Sequence, residues 1–293
     1  MLLSILLTII FLKYFMKLVA NERVLDLSYT QIMGILNVTP DSFFDGGLYN
    51  TVPKSIDHVD KMISNGATLI DIGGESTRPG SKRISDEEEL ERVLPVIQAI
   101  VNRFDIFISV NTSSALVIKE SAQLGVHLIN DVRSLADVEA MKAAKYSNLP
   151  ICLMHMQGSP DTMQKLPSYH NVVHEVFDYF KDQITRCQLA GINKTRLLLD
   201  PGFGFGKSFQ HNYQLLSNLK YFHHFNLPLL IGISRKSMLH CNNNTYCVKN
   251  RLAGSIACAV IASIQKVQII RVHDVKETME ALRIVKIVQE ERL

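Results

Sequence analysis

Residues 68–74 read TLIDIGG, and residues 75–81 continue ESTRPGS. The first stretch is short, apolar and of strand length, bounded by glycine. Its run is nearly continuous, as in a strand buried on both faces of a parallel sheet. The second stretch is polar and carries the turn formers Gly and Pro. A helical period follows over 86–103, preceded by Ser85 with Glu88 three residues on, the spacing of a capping box. One strand–loop–helix unit is complete, with its polar residues placed after the strand.

The same unit recurs in both directions. IMGILNV (32–38) precedes it; IFISV (106–110), HLIND (127–131), PICLM (150–154), RLLLD (196–200), PLLIGI (228–233) and QIIRV (268–272) follow. Helical periods lie at 53–65, 86–103, 114–124, 138–145, 171–190, 212–219, 251–265 and 275–290. Gly66, Gly125 and Gly191 follow helical stretches, where a left-handed C-cap favours glycine. Asp274 with Glu277 resembles a second capping box. Eight strand–helix alternations imply parallel strands with helical crossovers. The 293 residues suit a single-domain α/β fold, the (β/α)8 TIM barrel, typically about 250 residues long. A doubly wound open sheet is the alternative. No internal repeat or Pro/Ser-rich linker divides the chain.

The chain is 47% hydrophobic and 20% charged, with a formal net charge of +3. Its charges are interspersed, with no long basic run, so no nucleic-acid partner is expected. The five cysteines form no Cys-x-x-Cys pair. Cys152 and Cys258 lie in apolar runs and read as core residues. Cys241 and Cys247 flank an Asn-rich loop and supply two of the four ligands a metal site needs. This usage suits a reducing, cytoplasmic location. The opening MLLSILLTIIFL is apolar, but about 12 residues fall short of the roughly 20 that span a bilayer. It lacks a signal peptide's basic n-region and cleavage site. No stable membrane insertion is expected. Residues 1–15 read as an apolar extension from a start codon assigned too early, with the barrel at 16–293; a weak membrane-associating helix is the alternative.

In a barrel the active site lies where the strands end. The eight runs end in, or are followed by, Asn37; Asp71; Asn111; Asn130 and Asp131; His155; Asp200; Ser234, Arg235 and Lys236; and Arg271 and His273. Ordinary turn chemistry explains Gly, Asn, Ser and Asp. It does not explain Arg78, Arg235, Lys236, Arg271 and His273. The cations suit phosphate or carboxylate. Asn111, Asn130 and Asp200 suit a flat heterocycle with an amidine-like edge. Together they point to a heteroaromatic substrate carrying a phosphate-like group. PGFGFGK (201–207) does not have the spacing of a P-loop, so its glycines read as a tight, mobile loop. His155 reads equally as a satisfied core histidine. His223 and His224 read as solvated surface at the opposite end.

MGILNVTPDSFFDGG (33–47), DIGGESTRPGS (71–81), LINDV (128–132), LMHMQG (153–158), LLLDPGFGFGK (197–207), GISRKSM (232–238) and IIRVHDVKET (269–278) resemble the dihydropteroate synthase family in order and spacing. The Asn-rich segment 241–249 has no counterpart in that pattern. The resemblance implies a (β/α)8 barrel, commonly a homodimer and magnesium-dependent. It implies condensation of 6-hydroxymethyl-7,8-dihydropterin pyrophosphate with p-aminobenzoate, giving 7,8-dihydropteroate and pyrophosphate in folate biosynthesis. Catalytic roles fall on Asp41, Arg78 and Lys236. The pterin pocket falls on Asn130, Asp200 and Lys236, with Asn111 contributing. Arg271 and His273 take the pyrophosphate, and Asn37 matches the Mg2+-binding asparagine. Thr77 and Arg78 sit on a mobile loop. Phe43, Pro79 and Ser234 match positions near p-aminobenzoate, and Phe205 is a further substrate contact.

One departure stands out. The family pattern at the end of the third strand is Ser-Val-Asp-Thr; here it is Ser109-Val110-Asn111-Thr112. The pterin pocket thereby has one carboxylate fewer, and reduced turnover is expected. A pterin-dependent methyltransferase and a pterin-binding paralogue without synthase activity are the competing functions.

Overall fold

The computed structural model describes residues 17–39, 52–76, 83–158, 163, 167–239 and 251–291. The expectations for residues 1–15, for Asp41, Phe43, Thr77, Arg78 and Pro79, and for Cys241 and Cys247 lie outside those residues.

The described chain opens on an antiparallel hairpin, β1 (Lys17–Ala20) and β2 (Arg23–Asp26), turned at Asn21 with φ +54°. The sequence reading assigned no element here. Leu18, Ala20 and Leu27 are buried in the main core, and the side chains of Asn21 and Arg23 donate to the carbonyls of Val126 and Ile106 at 3.2 and 3.3 Å. The hairpin thus covers the end of the barrel at which the strands begin.

The barrel elements then alternate: β3 (Gln31–Asn37), α1 (Val52–Ser64), β4 (Leu69–Gly73), α2 (Asp86–Arg103), β5 (Phe107–Asn111), α3 (Ala115–Gln123), β6 (Leu128–Asp131) and α4 (Val138–Ser147). They continue with β7 (Ile151–Met154), α5 (Val172–Leu189), β8 (Leu197–Asp200), α6 (Phe209–Ser217), β9 (Leu230–Ile231), α7 (Leu252–Ile264), β10 (Ile269–Val272) and α8 (Val275–Glu290). The parallel order is β8-β7-β6-β5-β4-β3-β10-β9. A parallel bridge, Leu199 to Leu229, joins β8 to the residues leading into β9. The ring closes, so the barrel expectation holds and the open sheet is excluded.

Most differences from the sequence reading lie at element ends. β9 has two residues where a run of six was expected; Pro228 has no N–H to give, and its carbonyl instead accepts from Leu199 N at 3.0 Å. Gly66, Gly125 and Gly191 do adopt positive φ. Ser85 caps α2, but Glu88 binds Arg92 at 2.5 Å, so only half the expected capping box forms. Asp274 makes no cap bond; its carboxylate holds Arg235. A complete box forms instead at Ser208 and His211, which starts α6 three residues earlier than expected. His ring nitrogen replaces the usual Glu or Gln there, which hid the signal.

The core fills the barrel and the layer between strands and helices, with Phe180, Phe203 and Phe222 among its largest buried side chains. A second, smaller cluster joins Val132, Met154, Met163 and Phe205. Cys152, Cys187 and Cys258 are buried free thiols, the first and last as expected. No described helix is long and apolar enough to cross a membrane.

Candidate active site

Strand register places Asn37, Gly73, Asn111 and Asn130 side by side at the ends of β3 to β6. Gly73 contributes no side chain to this row. Two residues below it, Asp71 projects from the same face of β4 as Gly73. Asp71 is fully buried, and four side chains donate to it. Ser109 Oγ lies at 2.6 Å, Asn111 Nδ2 at 3.2 Å, Asn130 Nδ2 at 3.3 Å from both oxygens, and Arg271 Nε at 2.5 Å. A buried carboxylate is costly unless paired and hydrogen-bonded. Here it is both, and it ties four strands together.

Asp200 ends β8 beside this network. Its Oδ1 accepts from Gly202 N at 2.8 Å. Burial raises its pKa; Lys236, the Gly202 N–H, Lys207 and Arg271 oppose that. Lys236 Nζ donates to the Phe203 carbonyl at 2.5 Å and lies 4.5 Å from the centroid of the Phe205 ring. Burial brings its pKa down to about 8, against the pull of Asp200 and with the help of Arg271.

The strand end after β9 is held in an uncommon conformation. Arg235 has φ +58°, a cost a non-glycine residue bears only where the surroundings impose it. Its backbone N–H donates to Ser255 Oγ at 2.9 Å, and its guanidinium grips both oxygens of Asp274, the Nε contact at 2.8 Å. Arg235 therefore shapes the turn that presents Ser234 and Lys236 and does not join the free cationic group expected from the sequence. Ser234 Oγ lies 3.1 Å from both the backbone nitrogen and Nδ1 of His273, linking β9's loop to the end of β10.

The turn after β8 is tight, as its glycines require. Gly202, Gly204 and Gly206 all have positive φ. A Cβ on Gly202 would sit 1.8 Å from the His155 carbonyl oxygen, and one on Gly206 2.4 Å from that of Gln157. Its centre is filled by the buried Lys207. His155, at the end of β7, is a satisfied core histidine: its Nδ1 lies 2.8 Å from Lys207 Nζ, and burial drives its pKa down to about 2. At the opposite end, His223 is half-buried with Nε2 2.8 Å from the Gln265 carbonyl, whereas His224 is exposed, as expected.

The structure thus brings together Asn111, Asn130, Asp200, Phe205, Ser234, Lys236, Arg271 and His273, with Asn37 at the end of the neighbouring β3. The sequence reading noticed Asp71 but gave it no role, and missed Ser109 and Lys207. A carboxylate inside an otherwise apolar strand is a signal for the first. Ser109 and Lys207 carry none, because each matters only through a contact across the barrel or the turn. Glu89 of α2 was also missed. It is 3% exposed, its Oε1 has no hydrogen-bond partner, and burial raises its pKa to about 7 although Thr112 hydrogen-bonds it.

Comparison with known proteins gives the family. The family described as "Pterin binding enzyme" matches residues 33–273. Dihydropteroate synthase of Escherichia coli K12 is 59% identical over 271 residues, covering 92% of this chain and 96% of that one. The crystal structure of the Yersinia pestis dihydropteroate synthase with a sulfonamide drug complex is 56% identical, with a TM-score of 0.91 over 94% of this chain and 100% of that one. The Xanthomonas albilineans dihydropteroate synthase solved with 4-aminobenzoic acid is 40% identical, with a TM-score of 0.88 over 94% of this chain and 99% of that one. The chain belongs to the pterin binding enzymes and, within them, to the dihydropteroate synthases, transferases of folate biosynthesis.

Proposed function

We propose that the strand-end network binds 6-hydroxymethyl-7,8-dihydropterin pyrophosphate and joins it to p-aminobenzoate by a dissociative displacement. The observation that carries this reading is the convergence of Asn111, Asn130 and Arg271 on Asp71, with Asp200 and Lys236 alongside. Asp200, Asn130 and Asn111 line the pterin's amidine-like edge, and Lys236 contacts the ring. Asn111 spends its N–H on Asp71, which leaves its carbonyl oxygen for the ligand. Arg271 and His273 face the pyrophosphate. Fixed cations stabilise charge developing on that leaving group, at a site preorganised to receive it. The exocyclic C–O bond breaks with its electron pair going to pyrophosphate, and the ring system shares the resulting positive charge. The arylamine of p-aminobenzoate then attacks that carbon and loses a proton to the medium. Ser234 and Phe205 border the p-aminobenzoate side; the roles of Phe43 and Pro79 near p-aminobenzoate, and of Asp41, Thr77 and Arg78 in catalysis and substrate binding, are carried by the family resemblance alone. No enzyme nucleophile is required.

Asn37 fits a magnesium site of modest protein contribution. It offers one hard oxygen at a half-buried strand end, and the described residues hold no cluster of three His, Cys, Asp or Glu side chains. Mg2+ keeps several waters and takes most of its remaining ligands from substrate phosphates, so Asn37 would supply one protein oxygen among them. When bound, the ion neutralises charge on the leaving pyrophosphate.

Pyrophosphate release that depends on p-aminobenzoate tests the reading. Release without p-aminobenzoate dependence, or pterin binding with no release, would favour the competing functions. Lys236 supplies a pH signature: its ammonium is lost as pH rises through about 8, so pterin-substrate binding weakens on that limb. In Lys236→Arg the weakening moves to higher pH; an unmoved limb removes Lys236 from the pterin contact.

A homodimer belongs to the same reading. Ile261 and Ile264 on α7 and Ile284, Ile287 and Val288 on α8 are exposed, and these two helices pack side by side. Each set is spaced for one helical face. Ile287→Glu should shift sedimentation towards the monomer. The reading also keeps the cysteines reduced, as in a cytoplasm.

A further inference from the structure

We propose that Lys207 is a positioning residue for the pterin half of the reaction, holding from beneath the turn that fixes Lys236. This rests on the function proposed above.

Lys207 is 3% exposed, so it does not act by meeting a ligand at the surface. Its Nζ sits inside the turn 201–207, among inward-facing acceptors. The carbonyls of Gly202 and Phe205 lie at 2.9 and 3.0 Å, that of His155 at 3.4 Å, and His155 Nδ1 at 2.8 Å. Backbone carbonyls do not converge on one point unless a donor or cation occupies it. The left-handed glycines make the convergence possible, and the clearances at Gly202 and Gly206 leave the turn no room to slide against β7.

The outside of the turn is clasped separately. Gly204 N donates to Asn212 Oδ1 at 2.7 Å, and Tyr169 Oη donates to the Gly206 carbonyl at 2.8 Å. Lys207 is the clasp on the inside. Between the two clasps run the groups that hold Lys236: the Phe203 carbonyl and the Phe205 ring. Removing the Nζ leaves the Phe205 and His155 carbonyls without a donor and the Gly202 carbonyl with only the Phe205 N–H. The turn then relaxes, and the Phe203 carbonyl and Phe205 ring shift away from Lys236.

A double-mutant cycle on the KM of the pterin pyrophosphate tests this, with p-aminobenzoate saturating. KM does not depend on how much of a variant is folded, so a variant that accumulates poorly still reports. Lys207→Met is expected to raise this KM about tenfold or more, and Lys236→Met at least as much. The double variant should match Lys236→Met alone, because the Lys207 effect passes through Lys236. Multiplying effects, or a Lys207→Met KM within about twofold of the unsubstituted enzyme, would overturn the inference and leave Lys207 a purely structural residue. If the unsubstituted enzyme itself releases no pyrophosphate, it is the underlying function that fails, and the cycle is not reached.

Discussion

The two ends of the barrel bury polar groups in different ways. Where the strands begin, side chains bond to backbone: Asn21 to Val126, Arg23 to Ile106, and Arg196 to Leu149 and Ala144. The buried His127 takes the Ile108 N–H on its Nδ1 at 3.0 Å, and burial lowers its pKa to about 4. A cavity of about 430 Å3 lies there, lined by residues such as Arg23, Phe104 and His127. Where the strands end, backbone bonds also occur, but Asp71, Asp274 and Glu75 each hold an arginine side chain, so charged groups bond to one another. The first arrangement finishes the fold. The second fixes charges relative to one another, which is what a site needs for transition-state stabilisation. Burial alone does not distinguish the two ends; charge pairs sheltered from solvent do.

Asp71→Asn should break the contrast most. It strips the half-buried Arg271 of its carboxylate, and the partial exposure of Arg271 brings the cost below the roughly 3–5 kcal/mol of breaking a fully buried pair. Both the thermal midpoint and kcat/KM should fall together; a variant that keeps full kcat/KM would show the hub to be dispensable.

Asn111→Asp sharpens it from the other side. The added carboxylate faces the pterin but also lies beside Asp71, so two acids share Asn130 and Arg271. Restored charge should raise kcat/KM by about 1–3 kcal/mol of transition-state stabilisation with the fold intact. Unchanged or lower turnover would mean that Asp71 already satisfies the pocket's need for negative charge.

Glu89→Gln isolates a titration. Glu89 holds its proton to about 7 in the folded chain, against 4.5 ordinarily. Between those values the folded state keeps a proton that the unfolded state has lost, so stability falls as pH rises, and the cost is complete above about 7. The variant should gain about 1–3 kcal/mol near pH 8 and little below pH 4.5 in denaturant melts. A gain that does not change with pH would assign the effect to packing.

Arg23→Ala should matter least. Its partner Asp105 is 93% exposed, and such pairs are worth at most about 1 kcal/mol. Pyrophosphate-release kinetics should not change. A loss of turnover would tie the far end of the barrel to the chemistry and erase the difference between the two ends.

The architecture was legible because each strand is an apolar run closed by turn chemistry, and eight such runs are hard to read otherwise. The hairpin at 17–26 was not, since four-residue strands leave little periodicity to detect. The polar strand ends gave away Asn111, Asn130, Asp200, Lys236 and Arg271, whose side chains have few structural uses at that position. The common partner of Asn111, Asn130 and Arg271, Asp71, was visible only as an acid inside an apolar run. Arg235 was misjudged for a related reason: charge is read from sequence, but whether Asp274 has claimed it depends on a contact 39 residues away.

The pairing of β3 with β10, and of Asp71 with Arg271 200 residues further on, has a consequence for synthesis. A nascent chain presents Asp71 long before Arg271 leaves the ribosome. Until then Asp71 lacks its guanidinium partner and the pyrophosphate pocket is incomplete. Substrate capture therefore reports a finished molecule, and a chain truncated before its last strand is both inert and poorly stable, an easy target for proteolysis.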